Sequence, residues 1–540
     1  MRSIRPNAMS ARSGPAINGP SNPPGRIRVR NTIQWCGLLL GPLLALACYQ
    51  MLPLEYRDAH QQLVQFSGGG RWTLAMMVWM GVWWLTETVD MAVTALLPLA
   101  LFPLLGIATI EKAASPYANP LVFLFMGGFL LALSMQRWQL DRRIAISALR
   151  QVGTRPPQIV AGFMAITGLI SAFVSNTATT AMMLPIALSV LRLTEARSGG
   201  KEESRDPRAG TPDANGLGPC LMLAIAYSAS IGGMATIVGT PTNLFLVSYL
   251  RDSAPEAFRS DVGFARWLCV GLPLTIIYLP ITWWLLAKVL FRLPGEPIAG
   301  GRELLDDELQ KLGPVRRGEW ITLLAFLATA VLWVVRPWLQ GLEWSTASGT
   351  LRPFAGLSDT SIVMCSAIAL FLIPVDVGRR EFVLDWGTAE KLPLGLLLLF
   401  GGGLSLADAV STNQVAEYLG SHASHLAGLP DLALVLIVTT FVIFFTEMTS
   451  NAATVATLVP LLVVLAPSLE VHPYLLAYPA TLAASCAFML PVATPPNALV
   501  FSGGYVRIGQ MIRAGWWLNL VGIVLITLLT QWVVKPLLVP

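Results

Sequence analysis

Long apolar runs alternate with short polar connections along nearly the whole chain. Stretches of spanning length lie near 32–54, 72–89, 91–108, 119–136, 217–250, 265–291, 320–338, 358–376, 391–407, 474–503 and 515–534, and each predicts a helix that crosses a bilayer. Two further apolar stretches, 157–191 and 430–467, predict something else. The first is bounded by Arg155 and Arg192, which leaves 36 residues, whereas two full crossings need about 40 before any turn is counted. A helical hairpin with arms of about 15 residues reaches only ~22 Å, short of a hydrocarbon core of about 30 Å. Both stretches are therefore expected to dip in and return, with their tips at mid-depth.

The polar residues at those tips repeat. Ser175-Asn176-Thr177-Ala178-Thr179-Thr180, with Pro185, recurs as Ser450-Asn451-Ala452-Ala453-Thr454, with Pro460, at an offset of 275 residues. Gly127-Gly128 and Gly402-Gly403 share that offset. Gly239-Thr240-Pro241-Thr242-Asn243 answers Ala493-Thr494-Pro495-Pro496-Asn497 inside the two long runs 217–250 and 474–503. There a proline removes a helix hydrogen bond and a small neighbour permits unwinding, so both runs predict broken helices. Two matched sets of helix-breaking polar motifs in an apolar chain predict a transporter built from two structural repeats, 72–293 and 320–536, joined by a linker at 294–319.

Composition agrees. With 54% hydrophobic and 12% charged residues, the chain is far below the charged fraction of about 25% found in soluble proteins. No basic, aromatic platform indicates a nucleic-acid partner. The six cysteines stand singly in apolar stretches and read as packing residues. The four histidines fall in loops or segment ends, which offers neither a metal centre nor a buried proton relay. No nucleophile, base or metal cluster lies in the spans, so an enzyme is not expected.

Residues 1–31 carry six arginines and no acid, a composition that predicts a disordered cytoplasmic tail before the first span, 32–54. Leu44–Cys48 has the flavour of a lipoprotein cleavage box, but an apolar run of about 20 residues fits a retained span better. With the N-terminus inside, 27 of the 36 lysines and arginines fall on the cytoplasmic side, as the positive-inside rule expects, and the C-terminus lies outside. No Lys or Arg occurs between Lys391 and Arg507, so the second hairpin opens outward and the first inward. The two Gly-Gly spans are then five crossings apart, and an odd number inverts one repeat relative to the other. Amphipathic segments at 137–153 and 408–421 precede the two hairpins and predict interfacial arms.

A turn at mid-membrane exposes backbone groups that lipid cannot satisfy, so it must line a polar cavity or be buried in protein. Carbonyl and hydroxyl oxygens suit a hard cation such as Na+, and half-helix N-termini suit a carboxylate. The rival reading, that Ser, Thr and Asn merely glue helices together, does not explain a matched pair. None of the four motif segments contains Lys or Arg. A dianion held there needs dipoles, hydrogen bonds and co-bound cations to balance it. Glu447, beside the second tip, is a candidate to orient that tip or contribute to a cation site. Glu87 and Asp90 are functional candidates of lower rank or caps of the next helix.

The two Ser-Asn motifs and Phe488-Met489-Leu490-Pro491-Val492-Ala493-Thr494-Pro495-Pro496-Asn497-Ala498 resemble the divalent anion/sodium symporters, the sodium-coupled dicarboxylate, citrate and sulfate transporters. The similarity runs from about residue 72 to the C-terminus. It implies an all-α polytopic protein of about 11 transmembrane helices plus two re-entrant hairpins, a homodimer whose transport domain slides past a scaffold as an elevator. One Na+ site would be formed by Ser171, Ser175, Asn176 and Gly239, and a second by Thr446, Thr449, Asn451 and Ala493. Substrate carboxylates would meet Asn176, Thr177, Thr240, Ser450, Asn451, Thr494 and Pro495. Two positions depart from the family: Ala452 stands where many members have Thr, and Asp90 where a proline is common. The expected function is Na+-coupled uptake of a C4-dicarboxylate such as succinate, malate or fumarate across the plasma membrane. The alternatives are Na+-independent exchange, and citrate or sulfate as the anion.

Overall fold

The computed structural model describes residues 24–57, 63–197, 216–297, 301–346, 349–423 and 428–539. Residues 1–23 of the expected tail and the connection 198–215 lie outside them. Helix α1, Pro24–Met51, begins inside the stretch assigned to the tail, eight residues before the expected span. Among the described residues seven helices are long and apolar enough to cross a membrane, and six more are apolar but shorter.

The chain order is helical almost throughout. Helices α2 (Gly68–Thr86), α3 (Met91–Thr94), α4 (Leu97–Leu101), α5 (Ile110–Ala114), α6 (Pro120–Arg137) and α7 (Leu140–Leu149) lead to a first helical hairpin, α8 (Pro156–Ser171) and α9 (Asn176–Arg197). A broken helix follows, α10 (Leu217–Gly233) and α11 (Pro241–Ser248), then α12 (Phe264–Trp284). After α13 (Gly301–Leu312) the order recurs. Helices α14 (Arg317–Gln340), α15 (Asp359–Leu372), α16 (Trp386–Ala389), α17 (Leu394–Thr412) and α18 (Val415–Ala423) lead to a second hairpin, α19 (Asp431–Thr446) and α20 (Asn451–Leu465). A second broken helix, α21 (Tyr474–Ala484) and α22 (Pro495–Ser502), precedes α23 (Ile508–Leu529) and α24 (Lys535–Leu538). Among the described residues three two-stranded antiparallel hairpins, Glu55–Arg57 with Leu63–Gln65 the first of them, decorate the connections.

Local chemistry sets these boundaries. The expected span 91–108 is not continuous. Asp90 caps α3 by accepting from the Ala92 N–H at 2.8 Å, Pro98 sits in the first turn of α4, and Gly106 takes a positive φ of 68°, so hydropathy alone overestimates one helix. The arms α7 and α18 are each entered through a glutamine in the left-handed region, Gln139 (φ 55°) and Gln414 (φ 58°), again 275 residues apart. α17 runs on to Thr412, so the second arm starts seven residues later than the amphipathic pattern suggested.

One large buried core includes residues from both hairpins and both broken helices. The first arm is tied by charge: Arg142 of α7 to Glu308 at 2.7 Å, and Arg150, just past its end, to Asp306 at 2.6 Å, both partners on α13. Arg143 grips Glu319 of α14 with two nitrogens and reaches the Leu312 and Pro314 carbonyls. The other arm is held by apolar contacts instead, in a small cluster of Tyr56, Phe66, Val410, Val415 and Val464 with Tyr418 against it.

Glu319 is 2% exposed, so Arg143→Ala strands a buried carboxylate and is expected to lower stability by about 3 kcal/mol. Arg150→Ala, which opens a pair that water already screens, is expected to cost about 0–1 kcal/mol. Thermal unfolding of the two variants in one detergent compares them directly.

Candidate functional site

Each hairpin turns over four residues, Ala172–Ser175 and Glu447–Ser450. In the first, α8 ends at Ser171 and α9 restarts at Asn176. The Ser171 hydroxyl lies 2.7 Å from Asn176 Oδ1 and 2.7 Å from the Ala229 carbonyl of α10. In the second, the Thr446 hydroxyl lies 2.9 Å from Asn451 Oδ1 and 3.0 Å from the Ala484 carbonyl of α21. A hydroxyl has one proton for two acceptors. Each site therefore gathers three oxygens around less hydrogen than would satisfy them, a donor set suited to a hard cation.

The unwound segments are braced alike. Asn243 Nδ2 donates to the carbonyls of Gly233 (3.1 Å) and Thr236 (2.8 Å), and Asn497 Nδ2 donates to those of Ala487 (2.9 Å) and Leu490 (3.1 Å). Both asparagines are fully buried. Sequence reasoning noticed that an Asn follows each Thr-Pro but assigned it no task. Its place two residues after the proline, in both halves, is the signal that identifies the brace.

Of the first expected cation set, three residues come together. A Cβ on Gly233 would sit 2.5 Å from Asn176 Oδ1 and 3.2 Å from the Gly239 carbonyl, so Asn176, with Ser171 hydrogen-bonded to it, and Gly239 meet at one glycine. The fourth, Ser175, caps α9 by accepting from the Ala178 N–H at 3.3 Å. In the second set Thr446 and Asn451 are in contact. The Thr449 hydroxyl is spent within its own hairpin, on the Phe445 carbonyl at 3.2 Å and Thr454 at 2.7 Å. Ala493 is buried and its N–H goes to the Leu490 carbonyl at 3.2 Å.

The residues expected to meet substrate occupy the starts of four helices. Asn176 and Thr177 open α9, Thr240 immediately precedes α11 without a side-chain cap, Ser450 and Asn451 open α20, and Thr494 and Pro495 open α22. These helices pack across the two halves, α9 on α22 and α11 on α20. Thr242 and Ser485 join the two breaks by a hydroxyl pair at 3.0 Å. Thr177 and Pro495 are exposed, while Thr240 and Thr494 are buried. Thr494 accepts from the Asn497 N–H at 3.3 Å, whereas Ser450 makes no side-chain cap. Each helix start carries about half a positive charge, and the segments between Ser171 and Thr180, Gly233 and Asn243, Thr446 and Thr454, and Ser485 and Asn497 hold no lysine or arginine.

Glu447 lies in this region, 4% exposed. Its carboxylate accepts from the N–H groups of Phe488 (2.7 Å), Met489 (2.9 Å) and Leu490 (3.2 Å) and from Asn519 Nδ2 (2.8 Å). Glu87 ends α2 in the left-handed region, φ 46°, away from the motif segments in sequence.

Residues 67–539 match the sodium:sulfate symporter transmembrane region. The chain belongs to that family. Within it, the chain is 36% identical over 512 residues to a sodium-dependent dicarboxylate transporter, SdcS, of Staphylococcus saprophyticus, covering 94% of this chain and 93% of the relative. It is 37% identical over 501 residues to SdcS of Staphylococcus aureus, covering 93% and 91%. Two solved structures share the fold at a TM-score of 0.56. They are the YdaH transporter of Alcanivorax borkumensis, with 15% identity over 94% of this chain and 98% of that one, and MtrF of Neisseria gonorrhoeae, with 13% identity over 94% and 95%. This sodium:sulfate symporter family member is thus a multi-pass helical membrane protein, and its hairpins and broken helices lie within the matched region.

Proposed function

We propose that the protein is a secondary active transporter that carries a C4-dicarboxylate, such as succinate, malate or fumarate, into the cell together with Na+. The observation that carries this reading is that four helices whose first turns hold no basic side chain pack across the two halves, α9 on α22 and α11 on α20, with the two breaks joined by the Thr242 and Ser485 hydroxyls. Four ends of about +0.5 each amount to about two positive charges, the complement of a dianion. The two oxygen clusters at Ser171/Asn176 and Thr446/Asn451 supply a place for a cation on either side of that anion. The sodium-dependent dicarboxylate transporters to which the chain is similar support the same substrate pair.

In this reading the hairpins, broken helices, α12 and α23 form a transport domain that slides as an elevator against a scaffold of the remaining helices, in a homodimer. The hairpins open to opposite compartments, with the N-terminus cytoplasmic and the C-terminus outside. The arms α7 and α18, set at fixed angles by Gln139 and Gln414, link the two parts. Labelled succinate uptake into proteoliposomes with an inward Na+ gradient is expected to fall to background when choline replaces Na+. Uptake that persists in choline and rises with internal unlabelled succinate would instead mean Na+-independent exchange.

A further inference from the structure

The two unwound segments share nearly every support. Gly271 of α12 lets that helix lie on Met234 and Ala235, since a Cβ there would overlap their carbonyls. Gly515 of α23 does the same for Phe488 and Met489. Asn243 and Asn497 brace the two segments from within. Ser171 and Thr446 tie each hairpin to the helix before the break.

At one place they part. The residue after Ser171 is Ala172, while the residue after Thr446 is Glu447. One helical turn beyond the two glycines stand Thr275 and Asn519. The Thr275 hydroxyl donates to the Ile231 carbonyl at 3.1 Å, a bond within the first half's own scaffold. Asn519, fully buried, donates instead to Glu447. The second half therefore holds a carboxylate and amide pair where the first holds a methyl group and a hydroxyl.

That pair governs the geometry of the second break. Three successive N–H groups, from Phe488 to Leu490, converge on one carboxylate. Because a peptide unit is planar and its N–H and C=O point opposite ways, fixing those N–H groups fixes the carbonyls of the same units. Tyr227 secures the Phe488 carbonyl at 2.8 Å from the other side. Among the described residues the first break has no such anchor. Its Thr236 hydroxyl bonds the Ala172 carbonyl, and Trp267 donates to Met234 at 3.1 Å, but both are neutral. Glu447 makes no ion pair among the described residues, and it is bonded to Thr446 in sequence, next to the second oxygen cluster. Its charge acts on a cation there with little water to screen it.

Building on the Na+-coupled reading, we propose that Glu447, held by Asn519, is a positioning residue that makes the second cation site the tighter of the two and the first to fill. It touches neither ion nor anion. It orders Phe488–Leu490 in advance and adds a fixed negative charge beside Thr446 and Asn451.

The test uses the full chain in proteoliposomes, with the Na+ activation curve measured at saturating succinate and the succinate KM at saturating Na+. Glu447→Gln is expected to raise the Na+ half-saturation about tenfold, since it removes the charge and puts a donor against three donors. The succinate KM at saturating Na+ is expected to stay within about twofold, because excess Na+ refills the weakened site. The swapped pair Glu447→Gln with Asn519→Asp is expected to recover most of the loss. Thr275→Val, the corresponding change in the first half, is expected to leave the curve unmoved. If Glu447→Gln fails to insert, Asn519→Leu carries the test, with a rise of about threefold, because three N–H groups still hold the carboxylate and only part of the lost bond reaches the cation. A purely structural role would lower the melting temperature and leave the Na+ half-saturation unchanged, which overturns the proposal. So would a succinate KM that rises as far as the Na+ half-saturation, since that places Glu447 in the anion site. Wild-type uptake that ignores Na+ would sink the parent reading first, and is seen before any variant is made.

Discussion

Asn176→Ala and Asn451→Ala are each expected to reduce Na+-driven succinate uptake at least about a hundredfold, while the protein still inserts at wild-type yield. Each asparagine does two things at once. Its Oδ1 completes an oxygen cluster, with Ser171 at 2.7 Å in one half and Thr446 at 2.9 Å in the other, and its backbone opens a helix whose N-terminus is proposed to face the anion. Losing a contact to an ion costs about 1.5–3 kcal/mol, and every 1.4 kcal/mol is about tenfold. A side chain shared between cation and anion loses both. Aspartate at either position is expected to fail as well, since it places a negative charge beside the anion. Uptake normalised to the amount of reconstituted protein measures the effect.

Gly232→Ala is expected to be the most damaging single change outside the polar motifs. A Cβ at that position would overlap the backbone of Gly168, so helices α8 and α10, which pack closely along their length, would have to separate. Close approach through small residues is how helices associate without a hydrophobic force between them in lipid. Backbone cannot swing aside as a side chain can, and overpacking of this kind costs about 3 kcal/mol. The separation would also pull Ala229 from Ser171, and uptake is expected to vanish with stability. Gly81→Ala is the control. Its Cβ would meet nothing nearer than Thr457 at 3.7 Å, and a helix gains about 1 kcal/mol from alanine over glycine. Melting temperatures in the same detergent separate the two.

The hairpins and broken helices were legible because their signals are local. A charge at each end of a short apolar run limits its length, and Thr-Pro followed by Asn marks a break wherever it stands. The helices α8 and α9, and α19 and α20, accordingly turn within a residue or two of the expected tips. Boundaries set by finer chemistry were less legible. Asp90, Pro98 and Gly106 divide 91–108 into short pieces, although average hydropathy there is that of a span. The second arm begins at Val415 and not near 408, because nothing in Ala407–Val410 interrupts α17 before Gln414 turns the chain. The supports of the site were least legible. Glu447 stood out as an acid in an apolar setting, but its partners lie 41 to 72 residues away. Gly271 and Gly515 gave no sign that they make room for unwound backbone. Contacts of that kind are properties of packing, and no spacing in the chain encodes them.

The account depends on two hairpin tips that open to opposite sides and share one cavity. The direct measurement replaces the exposed Cys36, Cys269 and Cys365, introduces Ser175→Cys and Ser450→Cys singly, and applies a membrane-impermeant thiol reagent to right-side-out and inside-out vesicles. Each cysteine is expected to react from both sides in turn as Na+ and succinate shift the carrier between states, and to be protected when both are bound. Labelling of both positions from one and the same compartment, unaffected by Na+ or succinate, would contradict it.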